Sequence, residues 1–143
     1  MKEVHSVGII HRDLKLENIF NKIKVSDFGL CTLMTVDADN KSRTQMTGTI
    51  KYMAPELLLE QAHYDEKVDV YAFGVVVFQI LTKGEFPKVS LGEVANGKKA
   101  EIPSSITKFS SELIDKCWSF KASDRPSFAE ICEILKGNEN KLI

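Results

Sequence analysis

The pattern of apolar and polar positions changes character along the chain. The first third carries short apolar runs broken by polar residues, whereas from Pro55 onward apolar positions recur at helical spacing. Gly8-Ile9-Ile10 is one such short run. Asn18-Ile19-Phe20 and Ile23-Lys24-Val25 flank Asn21-Lys22, a separation that predicts a tight β-hairpin. Thr32 to Ile50 is polar, threonine-rich and aperiodic. It predicts a long loop, and a long loop inside a compact domain is usually functional.

Pro55 suits the first turn of a short helix, Glu56 to Glu60. Asp65 is placed to cap the next helix, with Glu66 in its first turn, where the helix dipole favours an anion. That helix continues through Val70, Phe73, Val75, Val76, Val77, Phe78, Ile80 and Leu81. It is apolar nearly all round and is expected to be the buried central helix. The β-branched run Val75 to Val77 also fits a strand, but the length of the apolar stretch favours helix. Further helices are expected near Ser90, near Ser110 (carrying Leu113, Ile114, Cys117 and Trp118) and from Ser127. Ser127-Phe128-Ala129-Glu130 reads as a capping box. Phe128, Ile131, Cys132 and Leu135 then form one stripe, and Gly137 stops the helix.

Composition narrows the function classes. Lysine plus arginine total 19 against 20 aspartate plus glutamate, a formal charge of −1 over 143 residues. Such a balance argues against a nucleic-acid-coating or membrane-surface protein. At 43% hydrophobic and 27% charged, the chain suits one globular domain and not a disordered one. No apolar stretch is long enough to span a bilayer; the nearest, Val68 to Leu81, contains Asp69 and Gln79. The start, Met1-Lys2-Glu3-Val4-His5, lacks the apolar core of a signal peptide. Cys31, Cys117 and Cys132 are too few for a disulfide framework and lack metal-ligand spacing, so a cytoplasmic or nuclear setting is expected.

The chemistry-bearing residues cluster near the start. His11-Arg12-Asp13-Leu14-Lys15-Leu16-Glu17-Asn18 matches the pattern H-R-D-L-x-x-x-N, Asp27-Phe28-Gly29 follows the predicted hairpin, and Ala54-Pro55-Glu56 closes the long loop. In that order these motifs resemble the C-terminal lobe of a eukaryotic protein kinase, and the resemblance covers nearly the whole chain. Cys117-Trp118 and Asp124-Arg125-Pro126-Ser127-Phe128 resemble the tyrosine-kinase-like group. The implied fold is α+β for the family as a whole and mainly α-helical for this chain, a helical bundle with a small β-hairpin at the cleft. Residues 1–137 would form a partial kinase domain and 138–143 a short C-terminal tail.

The resemblance implies ATP-dependent phosphoryl transfer to serine or threonine of a protein substrate, with Mg²⁺. Asp13 would accept the proton of the attacking hydroxyl, and Lys15 would place a point charge against the γ-phosphate. Asn18 and Asp27 offer hard oxygen ligands for Mg²⁺. Thr49 would bond to Asp13 and Lys15 in the peptide-docking loop, and Lys15 with Thr49 argues for serine/threonine acceptors. Phe20 matches the position that floors the adenine pocket, where an aromatic is unusual; core packing is the other reading. His11 is expected to pack beneath Phe28. Thr32, Thr35, Ser42, Thr44 and Thr47 lie in what resembles the activation segment. A phosphate at Ser42, Thr44 or Thr47 could pair with Arg12. By the same resemblance Asp69 holds the catalytic-loop backbone, a surface helix cap being the alternative, and Arg125 pairs with Glu56.

Two departures shape the functional expectation. Asn18 and Asp27 stand nine residues apart, closer than is usual in the family. The ten residues before His11 hold neither a G-x-G-x-x-G loop nor a V-A-I-K lysine. Each charge-assisted hydrogen bond to phosphate is worth about 1.5–3 kcal/mol. Without the lysine and a loop amide, the polypeptide alone is expected to transfer little phosphate. The rival expectation is a non-catalytic, pseudokinase-like interaction module; retention of Asp13, Asn18 and Asp27 favours the enzyme lineage.

Overall fold

The computed structural model describes residues 1–20, 24–25, 32–33, 50–61 and 63–142. It is a helical bundle with two short antiparallel strand pairs. Helix α1 spans Lys2–Ser6 and leads into strand β1, Ile9–Ile10. A 3-10 turn, Leu16–Asn18, runs directly into β2, Ile19–Phe20, which pairs antiparallel with β3, Lys24–Val25, with Ile19 opposite Val25 and Phe20 opposite Lys24. This is the hairpin that the Asn21-Lys22 spacing predicts. Strand β4, Thr32–Leu33, pairs antiparallel with β1. The sequence reading placed Thr32 in the long loop. A pair of residues is too short for periodicity to register, and only the backbone partner at Ile9 and Ile10 makes them a strand. Ile50, the other end of that expected loop, opens a 3-10 turn, Ile50–Tyr52.

Helix α2 spans Pro55–Leu58 with Pro55 in its first turn. It ends before Glu60, whose φ of 51° takes it out of helical conformation, so the expected extension to Glu60 does not form. Helix α3, Lys67–Leu81, is the central element. Asp65 accepts from the Lys67 amide at 3.0 Å, as a capping carboxylate does, while Glu66 takes the capping position itself and lies outside the first turn. The run Val75 to Val77 is helical. Val68, Val70, Val75, Val76 and Phe78 are buried, but Ile80 is 59% exposed, so the helix is covered on most of its circumference and not all of it.

Helix α4, Leu91–Ala95, has a capping box from Ser90 and Glu93, and α6, Phe128–Leu135, has the predicted one from Ser127 and Glu130. Helix α5, Lys108–Cys117, starts earlier than the expected Ser110, because Thr107 accepts from the Ser110 amide and caps it. Position N3 is Ser110, not Glu or Gln, so the usual capping-box signature was missing from the sequence. Ser110 instead is buried, and its hydroxyl donates to the Leu142 carbonyl at 2.8 Å, while Thr107 donates to the Lys141 carbonyl at 2.7 Å. The residues past Gly137 therefore lie against the start of α5.

The core is the α3–α5 interface. Gly74 permits it: a Cβ there would meet Trp118 Nε1 at 2.7 Å and Cys117 Cβ at 2.9 Å. Burial raises the Cys117 thiol pKa to about 12, so it behaves as a core hydrophobe.

Candidate active site

The loop His11–Asn18 is held from below by α3. Asp69 is 1% exposed and its carboxylate accepts the backbone amides of His11 and Arg12, each at 2.8 Å. His5 of α1 donates from Nε2 to the same carboxylate at 2.8 Å. Of the two expectations for Asp69, the loop anchor is therefore the one realised. The anchor matters because Arg12 has φ 66°, a left-handed conformation that a non-glycine residue holds only when its surroundings impose it. His11 is wholly buried, and its Nδ1 accepts the Asp13 amide at 3.2 Å, which makes it a packing and positioning residue. Phe28, its expected partner, lies outside the described residues.

Asp13 is buried at the centre of the loop. Its Oδ2 receives Lys15 Nζ at 3.1 Å and the Asn18 side-chain amide at 3.1 Å. Asn18 Nδ2 also donates to the Asp13 carbonyl at 2.8 Å. Asp13, Lys15 and Asn18 thus converge on one carboxylate. Asp13 Oδ1 is buried with no hydrogen-bond partner among the described residues. Burying a carboxylate oxygen unpaired is costly, and native structures rarely do it without a ligand, ion or substrate group in view. Asn18, with its nitrogen engaged on Asp13, keeps its amide oxygen for a hard cation. These donors fit a divalent ion beside an attacking hydroxyl. Asp27 and Thr49, the remaining site residues expected from the sequence, lie outside the described residues, as do the activation-segment candidates Thr35, Ser42, Thr44 and Thr47. The Phe20 side chain does too, its backbone sitting in β2 next to Asn18. No group of three His, Cys, Asp or Glu among the described residues forms a ready-made metal cluster.

A buried polar link that the sequence reading missed ties this loop to the segment before α2. The Tyr52 hydroxyl donates to Gln79 Oε1 at 2.6 Å and stands 3.5 Å from Glu17 Oε2. Burial, helped by the Glu17 carboxylate, holds the Tyr52 phenol above its ordinary pKa. The available signal was Gln79 itself, a polar residue in an otherwise apolar helical stripe. Farther back, Glu56 and Arg125 form the expected buried pair, with Nη1 to Oε1 at 2.6 Å and Nη2 to Oε2 at 2.8 Å. Arg125 also donates to the carbonyls of Ser119, Lys67 and Phe120 and lies over the Tyr71 ring at 5.2 Å.

The family model for protein tyrosine and serine/threonine kinases matches residues 1–135. The chain belongs to this family. Among the kinases it is similar to is a probable LIM domain-containing serine/threonine-protein kinase of Dictyostelium discoideum, 42% identical over 95% of this chain and 22% of the relative. A serine/threonine-protein kinase of Arabidopsis thaliana is 36% identical over 94% of the chain and 25% of its own length. A dual specificity protein kinase of Dictyostelium discoideum is 38% identical over 100% of the chain and 11% of its length. This kinase chain therefore spans a quarter or less of each of these relatives. Protein kinases as a family use ATP, a divalent cation and a protein substrate. Among the described residues no helix is long and apolar enough to cross a membrane.

Proposed function

We propose that the chain carries the hydroxyl-orienting and metal-holding part of a protein serine/threonine kinase site. The observation that supports this most directly is the buried Asp13 carboxylate: one oxygen is fixed by Lys15 and Asn18, and the other is unpartnered among the described residues. An attacking serine or threonine hydroxyl donates its hydrogen bond to that free oxygen. As the hydroxyl oxygen bonds to the γ-phosphorus, the bond to the β–γ bridging oxygen breaks and ADP leaves. The proton passes to Asp13. Lys15, half-buried beside Asp13, screens the charge carried by the transferred group. Asn18, with Asp27, would hold Mg²⁺, which supplies charge neutralisation at the phosphate oxygens. Thr49 would bond Asp13 and Lys15 and select serine or threonine, and Phe20 would pack on the adenine. A non-catalytic module gives less reason to bury a carboxylate whose second oxygen has no partner among the described residues.

The test has two readouts. Phosphate transfer from Mg-ATP to a protein substrate is compared for the chain and Asp13→Asn, with a loss of about 10²–10⁴-fold expected for a general base. Because these 143 residues contain no V-A-I-K lysine, metal binding is measured in parallel through Mn²⁺ broadening of NMR signals. Broadening centred on Asn18 and abolished by Asn18→Leu is expected. Measurable transfer by the chain that Asp13→Asn leaves unchanged, or Mn²⁺ effects indifferent to Asn18, would refute the reading.

A further inference from the structure

The chain turns sharply where α6 ends. Gly137 takes φ 71°, the left-handed conformation that leads out of a helix. Asn138 fixes the turn: its backbone amide donates to the Leu135 carbonyl at 3.0 Å and its side-chain amide to the Ile134 carbonyl at 2.9 Å. Glu139–Lys141 then form a single 3-10 turn. Glu139, Asn140 and Lys141 are exposed and Leu142 is half-buried. Two hydroxyls at the start of α5 reach this segment from 34 and 32 residues away. Thr107 donates to the Lys141 carbonyl at 2.7 Å, and Ser110 to the Leu142 carbonyl at 2.8 Å.

The two donors differ. The Thr107 oxygen also accepts the Ser110 amide at 3.3 Å and so caps α5, while its one hydrogen goes to Lys141. Ser110 is 0% exposed and supplies the second hydrogen from a buried side chain. We propose that residues 138–142 form a strap across the start of α5 with the Thr107 hydroxyl as its latch, so that loss of the donated hydrogen opens the strap while the oxygen goes on capping α5. A solvent-facing turn held by two hydroxyl bonds belongs to the low-stability end of a fold, and it opens without unfolding the bundle. Lifting it strips the buried Ser110 hydroxyl of its acceptor, which favours the closed position as long as Thr107 can donate. The strap goes beyond the proposed phosphoryl transfer and stands without it, since none of Asp13, Lys15 or Asn18 takes part.

Amide exchange followed by NMR on the full chain near pH 7 reads strap and cap separately. The Lys141 and Leu142 amides donate within the strap, to the Asn138 and Glu139 carbonyls, and the Ser110 amide reports the cap. One turn is not stable by itself in water, so the strap amides lose protection when it lifts. Thr107→Asp can accept and cannot donate, and aspartate is a good cap. Exchange at Lys141 and Leu142 should rise roughly threefold to tenfold, the effect of one lost hydrogen bond, with Ser110 unchanged. Thr107→Ser keeps both roles and should match the parent chain. Ser110→Ala removes the second donor without touching the cap and should speed Leu142 over the same range. Tryptic release of residues 137–143 should rise in parallel. Parent rates at Lys141 and Leu142 in Thr107→Asp would overturn the latch. Equal acceleration at Ser110 in that variant would overturn it too, because cap and strap would then fail together. Thr107→Ser exchanging like Thr107→Asp, or Ser110→Ala leaving Leu142 unchanged, would also count against the proposal and overturn it.

Discussion

Asp69→Asn isolates what holds the loop His11–Asn18 in place. The aspartate presents one oxygen to the His11 amide and His5, and the other to the Arg12 amide, all at 2.8 Å. Asparagine keeps a single acceptor. Whichever way it turns, its amino group faces a backbone N–H that has lost its partner. One charge-assisted bond worth about 1.5–3 kcal/mol disappears, and the stranded buried donor adds about 1–3 kcal/mol, so a loss of about 3–5 kcal/mol is expected. That is a large share of a domain stability of about 5–15 kcal/mol. Urea unfolding followed through Trp118 emission measures it, and amide exchange at His11 and Arg12 should accelerate in the same variant. Asp65→Ala is the control. That carboxylate caps the same helix from an exposed position and should cost only about 1 kcal/mol. If Asp69→Asn cost no more than the control, with exchange at His11 and Arg12 unchanged, Asp69 would be an ordinary helix-terminus residue and the anchoring argument would fail.

Removing one partner of the buried Glu56–Arg125 pair by Arg125→Met should cost about 3–5 kcal/mol, because Glu56 stays buried without its counter-ion. Thermal unfolding reads this, and a change under 1 kcal/mol would contradict it. Gly74→Ala ought to destabilise by about 1–3 kcal/mol through its clash with Trp118 and Cys117, less the ~1 kcal/mol that alanine gains in helix propensity; a stabilised variant would show the contact to be looser than described. Glu93 is held at a pKa of about 2, below its ordinary value of 4.5, chiefly by its hydrogen bond from Lys98 and then by those from Ser90. A carboxyl depressed on folding stabilises at pH above its unfolded value. Its contribution to capping α4 should therefore fade as pH falls from about 4.5 to about 2, and carboxyl NMR titration would refute this by placing Glu93 near 4.5.

The motif behind the proposed chemistry was legible because it is local. His11 to Asn18 lie within one short segment, and their residue types alone suggest an oxygen ligand, a base and a point charge. Capping was equally legible where its signature is complete, as at Ser127 and Glu130, and illegible at Thr107, where N3 is a serine bonded elsewhere. Strand β4 was out of reach for another reason: it needs a partner far along the chain, and its residues do not announce one. Gln79 did stand out as a polar residue in an apolar stripe, but nothing in the sequence named Tyr52 as its partner. Asp69 showed both sides: its motif suggested a loop anchor, but a helix-start carboxylate is as ordinary in sequence as the capping Asp65.

The sequence by itself determined the family and the helical bundle, and it supplied the residues proposed to orient a hydroxyl and hold a metal, because motif and helical period are properties of neighbouring positions. Only the tertiary structure decided that Asp69 grips the loop from 57 and 58 residues away, that Asp13 is buried with one oxygen unpartnered among the described residues, and that Thr107 and Ser110 donate to the segment after Gly137. Burial and charge juxtaposition depend on which surfaces meet once the chain has closed on itself, and spacing along the chain does not encode that directly.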